Sequence, residues 1–211
     1  VSMFNAGCWY NREWAKKCIN FNADVLAYLS RTPSIDTVVL SSLYGQYLKG
    51  NRVLQGSAGK TRDDAGFAET QGNEDLAARA LGETIRSIRK LGKRVVLITP
   101  PPSASGVDFG RCLEMKAGHK LFFGADQPSC AILEVRYRAG AAPVRSLIDR
   151  VARESDVGVI RLDEYLCHDG VCAVESNGTP LYRDNGHLSM DGSRLLGREM
   201  GLAGKILASA R

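Results

Sequence analysis

The chain has 211 residues, 44% of them apolar and 24% charged, which suits one sizeable globular domain and excludes a disordered or fibrous polypeptide. A formal net charge of +5 comes from 28 Lys and Arg against 23 Asp and Glu, scattered among one another rather than blocked. With no basic stripe interleaved with aromatics, nucleic acid is not the expected partner, and the charge allows at most a mild attraction to acidic glycans or an anionic membrane face.

Arg12 to Arg31 predicts a helix, with Trp14, Cys18, Phe21, Val25 and Leu29 at three- and four-residue steps as its packing face and Pro33 as its stop. Asp36 to Ser42 ("DTVVLSS") is a short β-branched run, a buried strand. Gly50 to Gly72 is polar and glycine-bearing and reads as a loop, with a short helix allowed near its start. Asn73 caps the next helix, which runs to Leu91 with Leu76, Ala80, Ile85 and Ile88 on one face, and Gly92 ends it. Arg94 to Pro100 ("RVVLITP") is a second buried strand, closed by three prolines. Ser103 to Pro128 reads as irregular. Cys130 to Glu154 is mostly helical, with an interruption expected around Gly140 to Pro143. Val157 to Asp163 ("VGVIRLD") is a third strand. Cys167 to Tyr182 has turn residues at "DG" and "NG" between short extended pieces, the pattern of a β-hairpin. Met190 to Ala210 is the terminal helix. No apolar run is long enough to span a bilayer, and no signal peptide opens the chain, so any export segment is expected outside this stretch.

Helix and buried strand thus alternate, which predicts a parallel sheet covered by helices on both faces. Ligands of such sheets bind beyond the carboxyl ends of the strands, here Ser41/Ser42, Thr99/Pro100 and Asp163.

Six cysteines fall as three local pairs: Cys8 and Cys18, Cys112 and Cys130, Cys167 and Cys172. No Cys-x-x-Cys occurs, which argues against zinc-ribbon or thioredoxin chemistry. An even count at close spacing favours disulfides and an oxidising compartment over six buried thiols, although the local pairing is one of about 15 connectivities. His119 and His168 read as surface residues, and the three histidines are too scattered for a zinc site. Trp9, Tyr10 and Trp14 are candidates for stacking on sugar rings, with helix core the preferred reading for Trp14.

Asp184 and His187 carry the chemistry. A carboxylate that holds one ring nitrogen of a histidine fixes its tautomer and leaves the other nitrogen as a general base. Asn185 and Gly186 between them favour the turn that brings both side chains to one place, and Ser189 is placed to cap the last helix. Spacing alone equally fits a capping Asp and a surface His.

The longer string "PLYRDNGHLSMDG", Pro180 to Gly192, resembles the last block of the SGNH (GDSL-type) hydrolases, roughly PLY-D-x-x-H-L-S-x-x-G. It looks most like the periplasmic SGNH domains fused to acyltransferase-3 membrane proteins, which O-acetylate bacterial surface polysaccharides such as lipopolysaccharide O-antigen. "IDTVVLSSLYGQYL" resembles the family strand and turn VVLAARWxxY, with Leu43-Tyr44 in place of Arg-Trp. "VVLITPPP" resembles the strand ending in GPxP, "CHDGVC" the disulfide hairpin before the last block, and "AGCWYN…CINFN" the early cysteine pair. The resemblance implies a three-layer α/β/α fold with a central, mainly parallel sheet, flavodoxin-like, and a small disulfide-linked hairpin near the C-terminus. It also implies one SGNH-like domain over residues 1–211 and bridges Cys8–Cys18, Cys112–Cys130 and Cys167–Cys172.

One departure matters. The family nucleophile is the Ser of a GDS block after the first strand, and no GDS occurs here; "DGS" at Asp191 to Ser193 is a reversed look-alike inside the last helix. Val1 to Asn5 fits the second strand of the domain, so the first strand and its Ser are expected upstream of Val1. A domain that has lost its nucleophile is the alternative. Ser41, Ser42 and Tyr44 are candidate oxyanion or substrate donors, each also explained by ordinary strand-end polarity.

The function the resemblance implies is acyl transfer to carbohydrate, with Asp184 and His187 activating that Ser. The domain itself is expected to need no metal or diffusible cofactor, with acetyl-CoA the ultimate donor through an N-terminal acyltransferase-3 membrane domain. The acceptor is a poly- or oligosaccharide, and the location is periplasmic, as part of an inner-membrane protein, or secreted. A carbohydrate O-acetyl esterase and a non-catalytic glycan-binding domain are the alternatives.

Overall fold

The structure, a computed structural model, describes residues 2–6, 12–48, 50–57, 67–118 and 130–210. In chain order it contains β1 (Ser2–Ala6), α1 (Arg12–Arg31), β2 (Thr37–Ser41), a 3-10 turn (Tyr44–Tyr47), β3 (Arg52–Ser57), β4 (Phe67–Gln71), α2 (Glu74–Arg89), β5 (Arg94–Ile98) and α3 (Phe109–Ala117). There follow β6 (Ile132–Leu133), α4 (Glu134–Ser155), β7 (Gly158–Ile160), α5 (Leu162–Leu166), β8 (Cys167–His168), β9 (Val171–Cys172), β10 (Glu175–Ser176), β11 (Thr179–Pro180), α6 (Met190–Glu199) and α7 (Leu202–Ser209). The chain divides into two compact units, the first Val1–Ile98, Ala142–Ile160 and Ser209–Arg211, the second Thr99–Ala141 and Arg161–Ala208.

The first unit is built on a parallel sheet of order β2-β5-β7, with Val39 level with Val96 and Ile98 with Ile160. Its central strand β5 is buried from Val95 to Ile98, the unbroken apolar run that a strand covered on both faces requires. Val95 and Leu97 pack with Ala77, Ile85 and Ile88 of α2 and with Leu147, Ile148 and Val151 of α4. Asn73 starts α2 as its cap, accepting the Leu76 N–H at 2.9 Å, and Gly92, at φ +75°, lets the chain turn back into β5. This is the expected α/β class with its parallel sheet.

Several expectations change. Gly50 to Gly72 is not a loop: β3 and β4 pair antiparallel with each other and β3 with β1, Met3 facing Gly56 and Gln55 facing Ala68. Burial of Val53 and Leu54 drives this pairing despite the polar composition, and a Cβ on Gly56 would stand 2.6 Å from the Phe67 ring. Helix α1 has the predicted bounds but another buried face. Ala15, Ile19 and Leu29 are buried, whereas Trp14 is 56% and Phe21 64% exposed, so Trp14 is not core. Cys18 carries a free thiol, and its expected partner Cys8 lies outside the described residues, as do Trp9, Tyr10 and His119.

In the second unit, part of the stretch read as irregular is α3, started by Asp108, whose carboxylate accepts the Arg111 N–H at 2.9 Å. Helix α4 runs unbroken through Pro143, where an interruption was expected. The hairpin region is two hairpins. Asp169-Gly170 and Asn177-Gly178 all take positive φ, the left-handed pair that two-residue turns demand. Cys167 faces Cys172 across the first and is bonded to it, and Cys112 is bonded to Cys130. The terminal helix is broken into α6 and α7 at Gly201, whose φ of +58° is the conformation that closes a helix.

Candidate active site

Leu181 to Ser189 forms a tight loop in the second unit. Leu181 N–H donates to the Val174 carbonyl at 2.9 Å, fixing where the loop leaves the second hairpin. Tyr182 and Leu188 form an antiparallel bridge, Arg183 N–H donates to the His187 carbonyl at 3.0 Å, and Ser189 N–H to the Leu181 carbonyl at 2.8 Å. The Ser189 hydroxyl donates to the Pro180 carbonyl at 2.7 Å and accepts the Gly192 N–H at 2.8 Å, so one side chain closes the loop and caps α6.

Inside this frame Asp184 makes an Asx turn. Its Oδ1 accepts the N–H groups of Gly186 at 3.0 Å and His187 at 2.7 Å. The imidazole then meets the same carboxylate, Nδ1 lying 2.8 Å from Oδ2 and 3.0 Å from Oδ1. An ionised carboxylate only accepts, so Nδ1 carries the proton and Nε2 keeps its lone pair. No hydrogen bond to Nε2 occurs among the described residues, and the His187 side chain is 58% exposed. Burial pushes the Asp184 carboxyl up, but the Gly186 and His187 amides and the His187 ring outweigh it and hold it down at about 2. Asp184 is therefore ionised at neutral pH. Arg183 adds a cation, its Nε 3.4 Å from Asp184 Oδ2.

The loop is seated on α3 and α6. The fully buried rings of Phe109 and Tyr182 lie 5.6 Å apart between centroids, and burial pushes the Tyr182 phenol up. A Cβ on Gly192 would stand 2.4 Å from the Leu181 carbonyl oxygen, and one on Gly110 would stand 2.3 Å from that of Arg183. Ser103 lies beside the turn, its Cβ 3.6 Å from where Gly186 would carry one. Sequence reading missed Phe109, Gly110 and Ser103. The signal for α3 was present, Asp108 as a cap followed by Phe109, Cys112 and Leu113 on one face.

The remaining candidates take the following places, Ser41, Ser42 and Tyr44 all belonging to the first unit. Ser41 ends β2 in the first unit and is exposed; Ser42 follows it, hydrogen-bonded through its side chain to Tyr47. Tyr44 is a core residue whose hydroxyl donates to the Leu40 carbonyl at 3.1 Å. The other strand ends have structural employment: the Thr99 hydroxyl accepts the Leu162 N–H at 3.0 Å, and buried Asp163 faces Arg138 at 3.5 Å. His168 is exposed, its Nε2 2.8 Å from the Tyr165 carbonyl.

Residues 1–201 match the family of SGNH domains fused to AT3 domains. The chain belongs to this family. A solved structure, the periplasmic domain of a lipopolysaccharide acetyltransferase from Salmonella ser. Paratyphi A, shares the fold of this SGNH domain at a TM-score of 0.56 and 19% identity. The alignment covers 88% of this chain and 62% of that domain, so the SGNH chain spans less than two thirds of its solved relative. No curated protein sequence matches it.

Proposed function

We infer that this SGNH domain performs acyl transfer to carbohydrate, as the acetyl-transferring domain of a surface-polysaccharide O-acetyltransferase. The observation that carries the reading is the Asp184–His187 pair, with a carboxylate held on Nδ1 and Nε2 left as base. Membership of a family fused to AT3 domains and the fold shared with a lipopolysaccharide acetyltransferase domain support transfer over simple hydrolysis. The Cys112–Cys130 and Cys167–Cys172 bridges support an oxidising, periplasmic setting.

In this reading the nucleophile is a Ser of the kind the family carries in its GDS block, a motif that residues 1–211 do not contain. In the first half-reaction the Ser Oγ attacks the acetyl carbonyl while its proton passes to His187 Nε2. Collapse of the tetrahedral intermediate breaks the bond to the donor's leaving group, which takes that proton from Nε2. In the second, a sugar hydroxyl gives its proton to Nε2 and attacks the acetyl-Ser, restoring the Ser hydroxyl. Asp184 stays ionised throughout and stabilises the imidazolium. Acetyl groups reach the domain from acetyl-CoA through an AT3 membrane domain, and the acceptor is a poly- or oligosaccharide.

The test uses the full-length protein and its His187→Ala variant with an acetyl ester and an unacetylated glycan. Loss of at least about a thousandfold in turnover is expected, and unchanged turnover overturns the reading. Glycan mass gain without matching acetate release identifies transfer, whereas acetate release alone identifies an esterase.

A further inference from the structure

Gly110 is the second residue of α3, a position where alanine is the better helix former. A Cβ there would stand 2.3 Å from the Arg183 carbonyl oxygen, 2.7 Å from its carbon and 3.1 Å from its Cα. All three are backbone atoms of the residue immediately before Asp184, so no side chain can swing aside. The Arg183 peptide is also held from within the loop, its N–H donating to the His187 carbonyl at 3.0 Å. The preceding residue, Phe109, meets Tyr182 ring against ring. Two consecutive residues of α3 thus meet the two consecutive residues that lead into Asp184.

The geometry points to Gly110 as a positioning residue for the Asp184–His187 pair. Its missing side chain lets the first turn of α3 seat the Arg183 peptide. That peptide sets where the Asp184 oxygens stand, and these decide which nitrogen of His187 carries the proton. The inference rests on His187 being the base. It goes beyond the loop's own residues, because the seat lies in an element remote in sequence. Gly197 supplies the contrast: it is also a helical glycine, in α6, but with nothing within 4 Å of its would-be Cβ.

The test reads the ring itself. Nitrogen-15 shifts of the His187 imidazole report which nitrogen is protonated, and the Nδ1 proton resonance reports its bond to Asp184. Wild type, Gly110→Ala, Gly197→Ala and Asp184→Asn are compared in the full-length protein. Gly110→Ala is expected to lose the Nδ1 proton signal and move the ring nitrogens toward their Asp184→Asn positions, with Gly197→Ala unchanged from wild type. A folded Gly110→Ala with wild-type ring shifts overturns the inference. Should Gly110→Ala fail to fold, Phe109→Leu decides: it keeps the glycine and thins the contact with Tyr182. The same shift in that variant supports the seat, and wild-type shifts overturn it. Failure of the catalytic reading shows separately, as unchanged turnover in His187→Ala.

Discussion

Asp184→Asn separates the catalytic from the structural share of the loop. Asparagine keeps the shape and one oxygen, so the Gly186 and His187 amides retain an acceptor where Asp184 Oδ1 now takes them at 3.0 and 2.7 Å. Hydrogen bonds to a charged acceptor contribute about 1.5–3 kcal/mol and neutral ones about 0.5–1.5, so each bond loses about 1 kcal/mol. Asp184 is 32% exposed, and solvent screening reduces the pair of losses to about 1 kcal/mol in total. For a chain of this size that lowers the melting temperature by about 2–4 °C. The catalytic effect is of another order. The asparagine NH2 replaces Oδ2, 2.8 Å from Nδ1, and donates to it, which moves the ring proton to Nε2 and removes the base. Turnover should fall by about 10,000-fold, about 5.5 kcal/mol of barrier. The assay is acetyl-ester turnover by the full-length protein beside a thermal melt. Activity within tenfold of wild type, or a loss of activity matched by global unfolding, refutes the reasoning.

Two further predictions concern pH and packing. The Asp184 carboxyl sits at about 2 in the folded loop against an ordinary 3.8, so its contribution to stability is fully present above 3.8 and is lost as the pH falls through about 2. The amide resonances of Gly186 and His187 should hold steady down to 3.8 and move with a midpoint near 2; a midpoint at 3.8 contradicts the hydrogen-bonded geometry. In the first unit, Gly158→Ala places a Cβ 2.1 Å from the Ser209 carbonyl oxygen, and destabilisation of about 1–3 kcal/mol is expected as a lower urea midpoint at constant slope. An alanine variant as stable as wild type would show that this backbone approach is not tight.

What could be read from the sequence follows the range of the interactions. Asp184 and His187 were legible through the resemblance carried by Pro180 to Gly192, since their spacing alone fits a capping Asp and a surface His equally well; the structure then joins them by local contacts, the Asx hydrogen bonds and the Ser189 cap. Strand β5 was legible because an unbroken apolar run has few other homes. Helix α1 was legible in extent and not in orientation. It carries two apolar stripes, and the bulk of Trp14 and Phe21 drew the reading. Small Ala15 and Ile19 instead fit against Leu54, on a strand that itself went unrecognised. Strands β3 and β4 depend on pairing partners distant in sequence, which a glycine-bearing polar stretch does not announce. Gly110 is invisible for the same reason, because its meaning lies in the Arg183 backbone, far along the chain. The break at Gly201 was the avoidable miss, since a glycine in mid-pattern is a helix-end signal.

The disulfides explain how a site can rest on such short elements. The first unit has a continuous core drawn from β5, α2 and α4. The second unit holds both bridges found among the described residues, and its elements are slight: β6, β8 and β9 have two residues each and α5 has five. Pieces of that size do not persist alone in water. Cys167–Cys172, separated by 5 residues, and Cys112–Cys130, separated by 18, supply about 2 and about 3 kcal/mol by restricting the unfolded chain. Their placement follows the path of support to the loop. Cys112 stands two residues beyond Gly110 in the helix that seats Arg183. Cys172 stands two residues before Val174, whose carbonyl receives the Leu181 N–H. The crosslinks thus fasten the floor of the loop and its entry, while the Asp184–His187 pair is held by hydrogen bonds, which leave the ring able to pass the proton that the proposed acyl transfer requires.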